Sequence, residues 1–425
     1  MLSVLVINKY TFANYKINYM DNWRRTFAII WSGQLISILS SSIVGYAIIF
    51  WLSIETRSAE ILAIAAIAAI LPQSVLGMFT GVYIDRWNRK LVMIMADSFI
   101  ALSTLVLVIL FFVGKVEPWQ IYLLAAARSI GSAFHMPAMQ ASIPLLAPES
   151  ELMRIAGINQ MIQSVSSIGG PALGALFITL LDMKYVLLFD IVGAVFAVGS
   201  LLLVNIPDPV KPKEKKKPHV FRELKEGLAE IYKDRGLTWL FFFGVIAMFF
   251  IMPIAVMFPL MTLNHFNGTV MHMSIVEIFW GAGMLAGGAF AGIKKIDFNK
   301  ALIINYMYLI FGITFFFSGV LPSNGFVWFV VLTAIGGVGT AIYNSAFNSL
   351  LQIKINPAML GRVFSTYMSI TMLPSMIGLL GTGFIADRIG LINAFLICGA
   401  INFVIGIVSF VIPSIRRTGI VIIKG

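Results

Sequence analysis

The chain has 425 residues, of which 59% are hydrophobic and 12% charged. Soluble domains carry roughly 25% charged residues, so this composition excludes a water-soluble fold and a disordered chain alike. The formal charge of +11 does not point to nucleic acid, because surplus Lys and Arg in a membrane protein report topology.

A bilayer span takes ~20 apolar residues, and twelve spans with their loops use about 35 residues each. That leaves no room for a nucleotide-hydrolysing module, and no G-x(4)-G-K-[ST] loop occurs. Apolar runs place the spans at 27–52, 61–84, 91–113, 119–142, 152–180 and 185–206, then 238–264, 273–293, 300–321, 326–350, 361–386 and 391–412. The organisation expected is an N-terminal cytoplasmic extension (1–20), a six-helix bundle (21–206), a cytoplasmic linker with an amphipathic helix (207–237), a second six-helix bundle (238–412) and a cytoplasmic tail (413–425). Residues 1–19 do not read as a cleavable signal peptide, and Met20, opening MDNWRRTF, is a natural alternative start to Met1. In the linker, Val220, Leu224, Leu228 and Ile231 share one helical face, which suits a helix lying along the membrane surface.

With both termini cytoplasmic, Lys and Arg fall 25 inside and 4 outside (Arg57, Lys115, Lys184, Arg388), with Arg128 inside a span. The positive-inside rule selects that orientation. The halves also repeat. A shift of 208 residues lays GSAFHMPAMQ (131–140) on GTAIYNSAFN (339–348), and Leu152 and Arg154 on Leu360 and Arg362. Parallel repeats of this kind build transporters with the substrate site between the halves.

Four groups of residues carry candidate chemistry. After span 2, Gly77 and Gly81 permit close helix contact, and Asp85 sits among Arg86, Arg89 and Lys90. Such a cluster can latch two helices in one state and release them in another. In span 5, Pro171 removes a backbone hydrogen bond, while Gly170 and Gly174 thin the helix. Arg128 lies near the membrane midplane and needs a partner. Asp97, Asp190 and Glu277 are the carboxylates in reach, with Asp97–Arg128 the leading pairing and Glu277 next. Burial disfavours the charged form of a carboxyl, as a proton carrier requires. Gln34, Ser37, Asn159, Gln163, Asn305, Tyr343 and Asn344, with Met252 and Phe258, are the expected cavity lining for a bulky amphipathic ligand. The single cysteine, Cys398, and four histidines show no metal-binding spacing. No Ser/His/Asp set or paired cytoplasmic carboxylates support an enzyme.

The stretch GMFTGVYIDRWNRK (77–90) resembles the G-x(3)-D-R-x-G-R-[KR] signature of the major facilitator superfamily. Asn88 stands at the usual Gly, a mild departure since Asn tolerates left-handed backbone. The resemblance implies that Asp85 and Arg89 form a cytoplasmic gate docking near Leu360–Arg362. The G-P-x-x-G core at Gly170, Pro171 and Gly174 resembles the span-5 motif of the family's proton-driven exporters, which implies antiport. RSIGSAF, starting at Arg128, resembles the family's span-4 arginine motif, with the Gly one position early. TFAIIWSGQLISILSSSIVGYAIIFWL, ARSIGSAFHMPAMQASIPLLAPESEL and LGRVFSTYMSI together resemble the macrolide-efflux (Mef-type) exporters of Gram-positive bacteria, from Met20 to the end.

The expectation is therefore an all-α integral membrane protein with twelve transmembrane helices in two six-helix bundles. By resemblance it is a monomeric drug:proton antiporter of the bacterial cytoplasmic membrane, driven by the proton gradient without a cofactor. Its partners would be an amphipathic small molecule, protons and the bilayer. The alternative is export of a native metabolite, siderophore or lipid with drugs incidental.

Overall fold

A computed structural model describes residues 23–84, 87–114, 116–148, 151–207, 220–293, 298–356 and 359–418. Expectations on residues 1–20, including Met20, on Asp85 and Arg86, on 208–219 and on 419–425 lie outside the described residues. The first six long helices are α1 (Trp23–Thr56), α2 (Ala59–Ile84), α3 (Arg89–Val113), α4 (Pro118–Leu146), α5 (Leu152–Leu180) and α6 (Met183–Leu202). The short α7 (Val220–Tyr232) precedes α8 (Arg235–Val256), α9 (Phe258–Asn264), α10 (Val270–Ile293), α11 (Lys300–Val320), α12 (Phe326–Lys354), α13 (Leu360–Ile389), α14 (Leu391–Val411) and α15 (Pro413–Thr418).

Helices are the form such a sequence must take, since lipid satisfies no backbone polar group. Among the described residues, eleven helices are long and apolar enough to span a bilayer. The twelfth, α4, has the length at 29 residues, but Arg128, His135 and its Ser and Gln residues lower its mean hydropathy. Packing follows a repeat. In the first set α1 packs on α5 and α6, α2 on α4, and α3 on α4 and α6; in the second α8 packs on α13 and α14, α10 on α12, and α11 on α12 and α14. Two equivalent pairs, α2–α13 and α5–α10, join the sets.

The structure corrects the sequence reading in several places. Span 7 is broken rather than continuous: α8 ends at Val256, and α9 starts at Phe258. Pro259 offers no N–H to the Ala255 carbonyl, which interrupts the helical hydrogen bonds at Met257. The linker helix is also not isolated. It docks on the start of α13, where Arg362 Nη1 reaches Glu226 Oε2 at 2.6 Å and a Cβ on Gly227 would lie 2.8 Å from the Arg362 carbonyl. A hydrogen bond from Arg222 and the nearby Arg362 charge hold Glu226 below the usual carboxylate range. Asn88 is extended (φ −64°, ψ 108°) rather than left-handed, and its side chain caps α3 by accepting from the Leu91 N–H.

The first set is pinned by a buried ionic cluster. Arg128 on α4 meets Asp190 on α6 at 2.5 Å. Thr104 of α3 and Ser41 of α1 donate to the same carboxylate at 2.6 and 2.5 Å. Asp190 is 2% exposed, and four helices converge on it. The expected Asp97–Arg128 pair does not form: Asp97 lies instead 3.3 Å from His135 Nε2, between α3 and α4. The difference is one of depth, because Arg128 and His135 are seven residues apart on one face of α4, about 10 Å along the helix axis.

Outside the membrane-spanning helices, Asp234 ties α8 to the tail. It accepts from the N–H groups of Gly236 and Leu237 and from the Thr418 hydroxyl. Burial pushes its carboxyl up, but the Leu237 N–H, Thr418, the Gly236 N–H and Lys354 outweigh burial and hold it below 3.8. A depressed carboxylate stabilises the fold above its unfolded value and loses that contribution as pH falls through the folded one. The melting-temperature gap between the wild type and Asp234→Asn is expected to be widest near neutral pH and to close below pH 3.8. For the buried cluster, Asp190→Leu strands Arg128 and is expected to cost about 3–5 kcal/mol. A denaturation series in detergent reads that loss, and Asp190→Leu with Arg128→Met should recover most of it.

Candidate functional site

Between the two sets of helices lies a cavity of about 570 Å³, within the range of drug-sized ligand sites. Its walls are mostly small and aliphatic. Ala65, Ala66 and Ala69 of α2 and Ala125 of α4 make room, and Met252, Val256 and Trp280 face them from the second set. Polar groups are few: Arg128, Ser129 and Ser132 from α4, Tyr46 from α1 and Glu277 from α10. Ser129 is engaged already, accepting from the Gln73 N–H at 3.0 Å just past Pro72, the proline inside α2.

The charge in this cavity is lopsided. Arg128 is neutralised by Asp190 behind it. Glu277 is the one acidic residue lining the cavity among the described residues, and its hydrogen-bond partner is the neutral Tyr46 hydroxyl, across the boundary between the sets. A carboxylate in apolar surroundings is costly unless paired, so Glu277 offers a counter-charge to a cation or a seat for a proton. The Trp280 ring, one turn on along α10 and also lining the cavity, adds a face suited to a cation.

A second feature closes one end of the cleft. Asp387, near the end of α13, accepts from the N–H groups of Ala59 and Glu60 at 2.7 and 3.1 Å and from Ser58 Oγ at 2.6 Å. One half thus caps the first turn of a helix in the other, where the helix dipole favours an anion. Beside it a Cβ on Gly383 would lie 2.7 Å from the Ala63 Cβ, so only glycine allows this approach.

Of the expected lining residues, Met252 reaches the cavity. Gln34 and Asn305 are fully buried elsewhere, Asn159 accepts from Trp31 Nε1 at 2.6 Å, and Tyr343 bonds with Tyr308 and Tyr367 at 3.4 and 3.2 Å. Phe258 packs on Trp280, Phe329 and Phe395. Ser37 is half-buried, and Gln163 and Asn344 are exposed. Gly170 and Gly174 carry close packing of α5 on α1, against Ser42, Tyr46 and the Ile43 carbonyl, and Pro171 lies within α5. Gly77 has open space where a Cβ would be, so its expected helix contact is not made in this state, and Gly81 lies four residues on in α2. Arg89 opens α3, and Lys90 donates to the Val204 carbonyl at 2.7 Å. The sequence reading missed Tyr46, Trp280 and Asp387. The first two share helix faces with other lining residues, but Asp387 had no signal, since an acid near a helix end reads as solvated surface. Among the described residues no three His, Cys, Asp or Glu are grouped to hold a metal.

Comparison with known proteins places this architecture. Residues 30–373 match the family described as Major Facilitator Superfamily. Macrolide efflux protein A of Streptococcus pyogenes is 40% identical over 397 residues, 93% of this chain and 98% of that one. Its namesake in Enterococcus faecalis is 39% identical over 76% of this chain and 99% of its own. Multidrug efflux pump Tap of Mycobacterium bovis is 23% identical over 86% and 88%. Among solved structures, the nucleoside transporter NupG superposes with a TM-score of 0.65 at 14% identity, covering 90% of this chain and 98% of NupG. A POT family transporter in complex with 5-aminolevulinic acid does so at 0.70 and 14%, covering 91% and 96%. Helix order, repeat packing and family match agree: the chain is a multi-pass membrane transporter, not an enzyme, and belongs to the Major Facilitator Superfamily.

Proposed function

We propose that the protein exports cationic amphipathic drugs of the macrolide kind across the bacterial cytoplasmic membrane, in exchange for protons, by alternating access. The observation that carries this reading is Glu277, a carboxylate whose partner among the described residues is the neutral Tyr46, in an apolar drug-sized cavity between the two halves. The 40% identity to macrolide efflux protein A over 93% of the chain supports the substrate class. The basic face, where α1, α3, α5 and α13 begin, is cytoplasmic by its Lys and Arg excess.

Proton and drug then compete for one group. Deprotonated Glu277 holds the drug cation in the inward-open form, and protonation from the outer side removes the counter-charge and releases the drug. Such a ligand shifts the equilibrium only through its different affinity for the two forms. Asp387 on the N-terminus of α2 holds the outer side shut and must let go for release. On the inner side, Asp85 and Arg89 would take up the opposite duty near Leu360–Arg362, where Arg362 is bound to Glu226 in the present form.

Cells carrying the protein are expected to accumulate less radiolabelled erythromycin than an efflux-deficient host, and a protonophore should restore accumulation. Unchanged accumulation from well-expressed protein would remove the macrolide assignment and turn attention to a native metabolite, siderophore or lipid. Glu277→Gln should abolish the protonophore-sensitive component, whereas Asp97→Asn should leave it largely in place; the reverse result moves coupling to Asp97 and His135. Asp387→Ala should raise labelling of a cysteine placed at Ala63 by a membrane-impermeant maleimide, and unaltered labelling would exclude Asp387 as the outer latch.

A further inference from the structure

A second recess, of about 480 Å³, lies between α1 and α5 at the basic face. Its walls are Trp23, Phe27, Trp31 and Leu35 from α1 and Ile155, Ile158, Met161 and Val165 from α5, with Arg24 and Arg154 at one end. From Arg24 to Leu35, and again from Arg154 to Val165, is eleven residues, or about 16 Å along a helix. That is close to the ~15 Å depth of one leaflet's hydrocarbon. The groove is thus apolar over one leaflet and cationic at the surface, the polarity of a single amphiphile standing along the membrane normal.

Among the described residues, the charge at its mouth is unbalanced. Arg24 and Arg154 both turn to Glu151, at 3.3 and 3.7 Å, and their side chains stay 72% and 68% exposed. Two guanidinium groups share one carboxylate, and Arg25 beside them is exposed as well. A cationic drug is repelled there, whereas a phosphodiester accepts bidentate bonds from arginine. On α1 the groove residues Ala28, Ser32 and Leu35 continue at helical spacing into Leu39, Ser42 and Tyr46. Groove and cavity therefore share one face of α1, separated where Leu39 and Ser42 meet Gly169 and Gly170.

We infer that this groove is a binding site for an anionic phospholipid of the cytoplasmic leaflet, its acyl chain along Phe27–Leu35 and its headgroup phosphate between Arg24 and Arg154. The assignment to that leaflet rests on the orientation proposed above. Basic pockets between transmembrane helices on the cytoplasmic side suit such headgroups. Native mass spectrometry of the purified full chain, challenged with phosphatidylglycerol and phosphatidylethanolamine, tests it without any transport assay, so it stands or falls apart from the drug assignment.

The wild type is expected to retain phosphatidylglycerol over phosphatidylethanolamine by roughly tenfold, in line with one to two basic groups near a membrane surface. Arg24→Gln with Arg154→Gln should erase the preference. Ala28→Trp, which fills the groove and leaves both arginines, should release the bound lipid. Equal retention of the two lipids by the wild type, or unchanged phosphatidylglycerol retention in the double variant or in Ala28→Trp at wild-type melting temperature, would overturn the site and leave annular lipid only.

Discussion

A guanidinium in the middle of a membrane helix sets the terms for the first half of this protein. Placing Arg128 there costs about 2.5–3.5 kcal/mol on insertion scales, and three other helices answer it. Asp190 supplies the charge, and Thr104 and Ser41 donate to that carboxylate. Because the four groups come from α4, α6, α3 and α1, satisfying one charge fixes the rotation of four helices. That rotation aims Tyr46 and Ser129 at the cavity and leaves Arg128 at its wall without a net field. Glu277 lines the opposite wall.

The second half reaches the same packing order by different chemistry. Its centre holds rings rather than ions: Tyr308, Tyr343 and Tyr367 joined through their hydroxyls, and Phe258 against Trp280, Phe315, Phe329 and Phe395. Aromatic packing suffices there because no mid-helix cation has to be paid for. Two halves of equal topology, each tightly packed within itself, behave as rigid bodies. They meet through small residues and one helix cap, Gly383 on Ala63, Gly281 on Ser167 and Asp387 on the start of α2. Such joins can be exchanged for others at low cost, which alternating access demands.

The groove at the basic face extends this logic to the bilayer. The recess between α1 and α5 opens beside Arg24 and Arg154. A lipid held there, as inferred above, would meet arginines that repel a cationic drug. The linker helix adds a further connection: Glu226 holds Arg362 at the start of α13, where the resemblance places the docking point of the gate motif.

Much of this was legible in the sequence. Apolar run lengths set the number and limits of the helices, because a helix is the form in which lipid-exposed backbone satisfies itself. The 208-residue offset marked the repeat, and the motifs marked the family. Arg128 and Glu277 stood out because a charge inside an apolar run is rare whatever the fold. What the sequence left open was pairing across helices. Asp97 was the leading candidate for Arg128, but it lies about two turns deeper along the helices beside His135, and the packing of α6 on α3 brought Asp190 to Arg128 instead. Helix packing likewise turned Asn305, Tyr343 and Gln34 into buried packing and brought Tyr46 to Glu277. Hydropathy records how deep a residue lies in the membrane, but the direction it faces depends on neighbours far along the chain, and those are set when the helices pack.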